Sequence, residues 1–245
     1  MNRFTSPALK LALGASMLFV LVAGPAEAAT KVPATVRVVT ASGKILVDKQ
    51  FKTGTTTVKT NADDSTCFGG KSSASSKTLT GPTSLGLLYQ ASKAVKTLRP
   101  LSLTDEFDFG IGICTIGGFT PPSTGFWLFK HNHEDSMLGA EATVLKKNDV
   151  DLYYEVKDFN DTEGLLELSV QAPAKVKKGA TAKVRVFGYD AKGKRSPVEG
   201  AKLSAGGALT DADGVTTVTV KKKTSIIARL TGSIPSNRAV IKIRK

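Results

Sequence analysis

The sequence predicts a small α+β domain of β-grasp type followed by an all-β sandwich domain. Three observations carry this. One stretch, Gly81 to Arg99, repeats apolar residues at helical spacing, with Leu87, Leu88, Ala91, Val95 and Leu98 on one face. Short segments that alternate apolar and polar residues flank it on both sides. Beyond residue 163 helical periodicity is gone, and strand-like runs recur between turn signals about every 8 to 12 residues.

At the N-terminus Arg3 and Lys10 precede an apolar run from Leu11 to Ala23, and Ala26-Glu27-Ala28 is a small-x-small cleavage site. Residues 1–28 therefore read as a signal peptide. The run is too short for a stable transmembrane helix. No Cys lies near the cleavage site, and no apolar segment closes the chain. The expectation is an exported protein, secreted or held at the cell envelope, with no transmembrane segment. About 215 residues remain, enough for two modest cores. The domains are placed at 30–158 and 164–245, with 159–163 as the linker.

In chain order, Thr35 to Val39 and Ile45 to Phe51 read as two strands, joined tightly by Ala41-Ser42-Gly43-Lys44. Asn61 to Lys77 is polar and reads as a loop, and Thr78-Leu79 begins a short strand. Thr83 is the expected cap of the helix and Pro100 its stop. Phe107, Phe109, Ile111 and Ile113 alternate with Asp108, Gly110, Gly112 and Cys114, which reads as one strand whose small-residue face admits a close neighbour. Cys67 and Cys114 are the two cysteines. In an exported chain a single pair reads as a disulfide, with two free buried thiols as the alternative. Closing that loop would stabilise the fold by about 4 kcal/mol on the chain-entropy model.

The stretch from Gly125 to Val156 holds the single tryptophan and both histidines. Val150, Leu152, Tyr154 and Val156 alternate with Asp149, Asp151, Tyr153 and Glu155, the pattern of a half-buried strand. Alternation sets Tyr153 opposite to Leu152 and Tyr154, so Tyr153 is the ring expected in solvent. Trp127, Phe129, His131 and His133 are expected on one face of another strand, ending in a polar tip, His131-Asn132-His133-Glu134-Asp135. Lys147-Asn148-Asp149 is turn chemistry. The candidate ligand-binding residues are Trp127, Phe129, His131, Asn132, His133 and Tyr153.

Trp127-Leu128-Phe129-Lys130-His131-Asn132, then Gly139, then Asn148-Asp149, resembles the transcobalamin-like C-terminal β-domain of secreted bacterial proteins. That family has an aromatic-x-aromatic strand ending in Asn, a Gly-containing spacer, and a strand opened by a Gly-Asp turn. Asn148 stands where the family has the turn Gly, and His133 where it often has Gly. The resemblance spans about residues 34 to 158 and implies a single-helix β-grasp fold. Because relatives of this domain cap a corrinoid in vitamin B12 carriers, it also implies cobalamin as a ligand. The residues themselves imply no cofactor. Farther on, Val198-Glu199-Gly200-Ala201 followed by Thr210-Asp211-Ala212-Asp213-Gly214 resembles bacterial Ig-like and carboxypeptidase-regulatory-like modules.

Charge is unevenly placed. The chain carries +13, of which residues 164–245 carry +12 and residues 30–163 none. Three clusters stand out: Lys175, Lys177 and Lys178; Lys192, Lys194 and Arg195; Lys221, Lys222 and Lys223. An exported chain without aromatics among its lysines is a poor nucleic-acid binder. The expected partner is an anionic envelope polymer or a surface protein, with solubility as the plain alternative.

Catalytic signals are thin. A triad has only His131 and His133 to draw on, and no G-x-S-x-G elbow is present. Gly70-Lys71-Ser72 echoes the end of a phosphate loop without its first Gly. His131, His133, Glu134 and Asp135 have the chemistry of metal ligands, but a solvated polar strand end explains them as well. Asp211-Ala212-Asp213-Gly214 lacks the further ligands of a calcium loop. No catalytic and no metal residue is assigned. The expectation is a non-enzymatic binding or adhesion-type protein. The alternatives are a small-ligand binder, a corrinoid included, and the accessory module of a secreted hydrolase.

Overall fold

The computed structural model describes residues 31–61, 72–108 and 110–244. The expected signal peptide, Cys67, Phe109 and most of the Asn61 to Lys77 loop lie outside them. The described chain is mostly β, with one α-helix and several small open sheets.

The first hairpin is β1 (Val32–Val39) and β2 (Ile45–Thr53). Gly43 takes φ 75° at its tip, and Gly43 N–H donates to Thr40 O over 2.8 Å. Strand β3 (Thr56–Lys59), which the sequence did not signal, pairs with β4 (Ser76–Leu79), the short strand expected at Thr78-Leu79. Helix α1 covers Ser84–Ala94, and the Thr83 hydroxyl accepts from Gly86 N–H as the cap. It stops short of the expected Arg99. Val95 is extended, a 3-10 turn covers Lys96–Leu98, and the Thr97 hydroxyl donates to Leu46 O over 2.7 Å. That bond ties the chain to β2 and keeps Leu98 fully buried. Leu85, Leu87, Leu88 and Ala91 are also fully buried, so truncating any of the leucines would cost about 2–5 kcal/mol.

The segment read as one strand from Phe107 to Cys114 is a hairpin, β5 (Leu101–Phe107) with β6 (Gly110–Ile116). Two features turn the chain: Asp108 in the turn and Gly110 at φ 129°, a region closed to other residues. The small-residue face does admit a close neighbour. A Cβ on Gly112 would sit 2.6 Å from the Phe107 ring.

β7 (Phe126–His131), β8 (Glu134–Asp135) and β9 (Val150–Val156) complete the main sheet, ordered β2-β1-β9-β7-β8. Only the β1–β9 pair is parallel. Asn148 takes φ 72° just before β9, as its turn role requires. The expected half-buried β9 is buried on both faces. One face (Tyr153) packs with Trp127, Leu87 and Val58. The other (Leu152, Val156) packs with Val39, Leu128 and Ile234. Ile234 belongs to the second half of the chain, so the sheet is the middle layer between two bodies.

The residues read as a linker form a 3-10 turn at Phe159–Thr162, with Asp158 accepting from Asn160 N–H. Beyond it come β10 (Leu166–Gln171), β11 (Lys175–Val176), β12 (Thr181–Tyr189), β13 (Arg195–Pro197) and β14 (Lys202–Leu203). Then follow β15 (Val215–Thr219), β16 (Thr224–Ile226), β17 (Ala228–Arg229), β18 (Ser233–Ile234) and β19 (Ala239–Ile243). They form a sheet β13-β12-β10-β18 with β15 on β12, a sheet β11-β19-β16, and the pair β14-β17. Val184, Val186, Leu168, Ile226 and Ile241 fill the space between them. Glycines at positive φ mark the expected turns at Gly179, Gly193 and Gly214.

Candidate functional site

The polar tip expected to meet a ligand is instead the joint between the two halves. His131 and His133 share no strand face. Asn132 (φ 50°) and His133 (φ 75°) are the two left-handed residues of the tight turn from β7 to β8, with His131 opposite Glu134. The Asn132 side chain holds that turn, accepting from Val150 N–H (2.9 Å) and donating to Asp149 (3.0 Å).

His133 points across the joint. Its Nδ1 lies 2.8 Å from Glu167 Oε1, and its ring stacks on Tyr189 at 4.0 Å between centroids. Arg37, 1% exposed, reaches the same Glu167 oxygen through Nη2. Burial works to raise the Glu167 pKa, but the Arg37 charge and the His133 hydrogen bond outweigh it and hold the carboxyl below its ordinary value. Lys130 donates to Asp190 O (3.1 Å) and pairs with Asp135 (2.7 Å). Asp135 N–H donates to Ala191 O, and Arg238 N–H to Asp48.

His131 turns the other way. Its Nδ1 lies 2.8 Å from the buried Asp151 carboxylate. That hydrogen bond raises the His131 pKa against the opposing effect of burial. Burial raises the Asp151 pKa in turn, and His131 and Ser84 act against it. The Ser84 hydroxyl is buried without a hydrogen-bond partner, so neither histidine is placed to act on it as a base.

Tyr153, expected in solvent, is fully buried. The reason is the first half's own core: Leu87 and Leu88 of the helix, with Val58 and Trp127, cover the face of β9 that carries Tyr153. Its ring stacks under Phe129 at 5.1 Å, and its hydroxyl is buried without a hydrogen-bond partner. Burial, with the nearby Asp151 charge, pushes its pKa well up.

What the geometry does offer a ligand is an apolar groove of about 550 Å³ along the outer edge of β7. Trp127, Phe129, Phe107, Ile113, Leu138 and Phe159 are among its walls. Phe159 stacks on Phe126 at 5.2 Å. Leu138 and Phe159 stand on the lip, 61% and 57% exposed. Two polar handles sit in this apolar wall. Trp127 Nε1 is buried and has no hydrogen-bond partner. Phe129 O accepts from Ser136 N–H, away from β9. By strand alternation the N–H groups of Trp127 and Phe129 face that outer edge too, where no described strand pairs with Trp127.

The groove thus unites Trp127 and Phe129 from the expected set and leaves out His131, Asn132, His133 and Tyr153. Sequence reasoning missed Phe107, Leu138 and Phe159 as ligand contacts. The signal available was an apolar residue in a polar setting: Met137-Leu138 in a Ser/Gly loop and Phe159 in the linker.

The three basic clusters are exposed. Lys192 bridges to Glu134, and the Arg195 guanidinium lies 4.4 Å over the Phe187 ring. Asp211 closes its own turn, accepting from Asp213 and Val215 N–H groups. Cys114 is buried, while the expected disulfide partner Cys67 lies outside the described residues. Among the described residues no helix is long and apolar enough to cross a membrane.

No family model matches the chain, and no curated protein matches it. A solved structure of haptocorrin in complex with Cbi is similar at a TM-score of 0.34 and 13% identity. The match covers 54% of this chain and 26% of the haptocorrin chain. The chain thus spans about a quarter of haptocorrin's length, and a likeness at this level carries no argument.

Proposed function

We propose that this is an exported, non-enzymatic binding protein. In this reading its groove takes a flat, largely apolar small ligand that carries a hydrogen-bond acceptor. One observation supports it above others: an aromatic-walled groove of about 550 Å³ with Trp127, Phe129, Phe107 and Phe159 among its walls. That volume falls in the range of roughly 300–1,000 Å³ usual for small-molecule sites, which are mostly apolar with a few placed polar groups. Trp127 Nε1 is buried and unpartnered, so a ligand acceptor that reaches it on a turn of the indole pairs a donor otherwise unsatisfied. A corrinoid belongs to this class, being flat with amide carbonyls at its rim; its inclusion rests on the resemblance of the Trp127 to Asp149 motif.

The non-enzymatic part of the reading rests on the sequence, where no nucleophile elbow accompanies His131 or His133. The β-grasp and Ig-like domains at 30–158 and 164–245 remain part of the proposal, as do the Cys67–Cys114 disulfide and the place at the cell envelope.

The test is a binding screen of the mature protein followed by Trp127 emission, with cobalamin, apolar aromatic dyes and cell-wall sugars side by side. A ligand of the groove changes the emission of the single tryptophan. Leu138→Glu, on the exposed lip, should weaken it about tenfold or more by placing a charge against apolar surface. Binding that ignores Leu138→Glu and Phe159→Ala would move the site elsewhere.

A further inference from the structure

The second half of the chain has two ends, set by the long strand β12. Its Tyr189 end meets the first half, where Ala191 and Lys192 contact Asp135 and Glu134. At its Thr181 end two of the three basic clusters come together. The Lys177-Lys178 turn leads into β12 through Gly179, whose N–H donates to Val220 O, one residue before Lys221-Lys222-Lys223. Strand β19 holds them in one place. Lys175 pairs with Lys242 on one side of it, and Thr224, next after Lys223, pairs with Ile241 on the other. Arg244 joins them by donating its N–H to Val176 O.

All these cations are exposed, and none takes part in an ion pair among the described residues. The acids of this half are elsewhere. Glu167 and Asp190 are at the joint, and Glu199 follows β13, which pairs with the Tyr189 end of β12. Asp211 and Asp213 turn into the Val215 end of β15, which pairs with Arg185, while its Thr219 end pairs with Thr181. The pole is also free of aromatic rings: the sequence from Lys175 to Ala182 and from Val220 to Ile226 contains none.

We propose that this lysine pole is a docking surface for a phosphodiester-rich anionic polymer outside the cell. Its charge is concentrated, unpaired and unopposed, which favours a polyanion over a single small anion. Lysines are point charges on flexible stems and suit a repeating, irregular chain of phosphates better than a shaped site. The lack of aromatic rings argues against base stacking and against insertion into a lipid interface. The pole lies at the end of the second half away from the joint, so a docked molecule keeps its groove clear of the polymer.

The measurement uses the whole mature protein and poly(glycerol phosphate) as the probe, at low salt and then with rising sodium chloride. One variant carries Lys177→Gln, Lys178→Gln, Lys221→Gln, Lys222→Gln and Lys223→Gln. A second has the same net charge, lowered at exposed lysines of the first half: Lys31→Gln, Lys52→Gln, Lys59→Gln, Lys96→Gln and Lys147→Gln. Removing the pole should weaken binding about 10- to 100-fold at low salt and flatten its salt dependence, because fewer counterions are released. At about 0.1–0.15 M salt the control variant should bind within about twofold of the parent, since charges beyond about 8–10 Å are then screened. Circular dichroism and unchanged Trp127 emission confirm that each variant is folded. Equal losses in both variants would mean net charge alone, and overturn the proposal. So would binding that is indifferent to salt, or binding to phosphatidylglycerol vesicles but not to the polymer. Groove binding is read separately from Trp127, so either conclusion can fail without the other.

Discussion

Glu167 shows how much one residue carries. It is buried from solvent yet charged, because Arg37 and His133 converge on it from the other half of the chain. Removing one partner of such a pair leaves the other buried and uncompensated, at a cost of about 3–5 kcal/mol. Glu167→Gln should therefore lower the melting temperature at neutral pH. The pH dependence has a definite sign. The folded pKa is depressed, so the stabilisation is present above the ordinary value of 4.5 and lost as pH falls through the lower, folded value. Thermal melts between neutral pH and pH about 3 should show that acid loss in the parent and a flatter curve in Glu167→Gln. A curve of equal slope in both would remove Glu167 from the account. His131 has the opposite sign: its raised pKa gives stability below 6.5 that fades as pH rises through the folded value.

Tyr153 makes the complementary case at the same scale. Its hydroxyl is buried with no partner. Tyr153→Phe removes an unsatisfied group and keeps the ring stacked on Phe129. Stability should hold or rise by up to about 1 kcal/mol, as read by urea denaturation, and groove affinity should be unchanged. A loss of 1 kcal/mol or more would mean that the hydroxyl has a partner after all.

At the scale of elements, the local signals in the sequence were sound where the decision was local. Thr83 caps the helix, Gly43 turns the first hairpin, and β9 starts and ends where alternation placed it, at Val150 and Val156. They failed where a distant partner decided. Phe107 to Cys114 alternates like one strand, but the positive φ at Gly110 folds it back, and Leu101–Phe107 supplies the partner strand. The alternation of β9 predicted one wet face, but the helix core covers the Tyr153 face and Ile234, from far along the chain, covers the Leu152 face. The polar residues after Phe129 looked like a ligand tip because nothing in their spacing announces Glu167 and Asp190 as partners. Of the groove, Trp127 and Phe129 were legible as an aromatic pair; Phe107, Leu138 and Phe159 join them only through the fold. One turn offers a clean check. Asn148 is exposed at φ 72°. Asn148→Gly should leave stability level or slightly higher, and Asn148→Ala should cost about 1 kcal/mol for the left-handed backbone. Equal effects of the two in denaturant titration would contradict that reading of the turn.

At the scale of the whole molecule, the two halves behave as one folding unit in this account. Val39, Leu128, Leu152 and Val156 pack against Ile234 across the joint, and Arg37 is neutralised only by Glu167. A chain cut after residue 163 would expose those apolar side chains and strip Arg37 of its carboxylate partner. The expected outcome is a single calorimetric transition for the intact protein and aggregation or loss of melting cooperativity for the cut first half. Two separate transitions in the intact chain would show the joint to be weak. The arrangement also divides labour along the molecule, with the groove on the first half and the lysine pole at the far end of the second.

The central claim is that the ligand enters the groove and not the polar tip. Backbone amide hydrogen exchange tests it most directly, on the mature protein with and without a saturating apolar dye such as 8-anilinonaphthalene-1-sulfonate. In the free protein the outward Trp127 N–H is unpaired on its open edge and should exchange fast. The account predicts that the bound dye slows exchange at Trp127 and Phe129 and across residues 138–140, while residues 131–135 at the joint keep their rates. Protection confined to residues 131–135, with the groove amides unchanged, would contradict it.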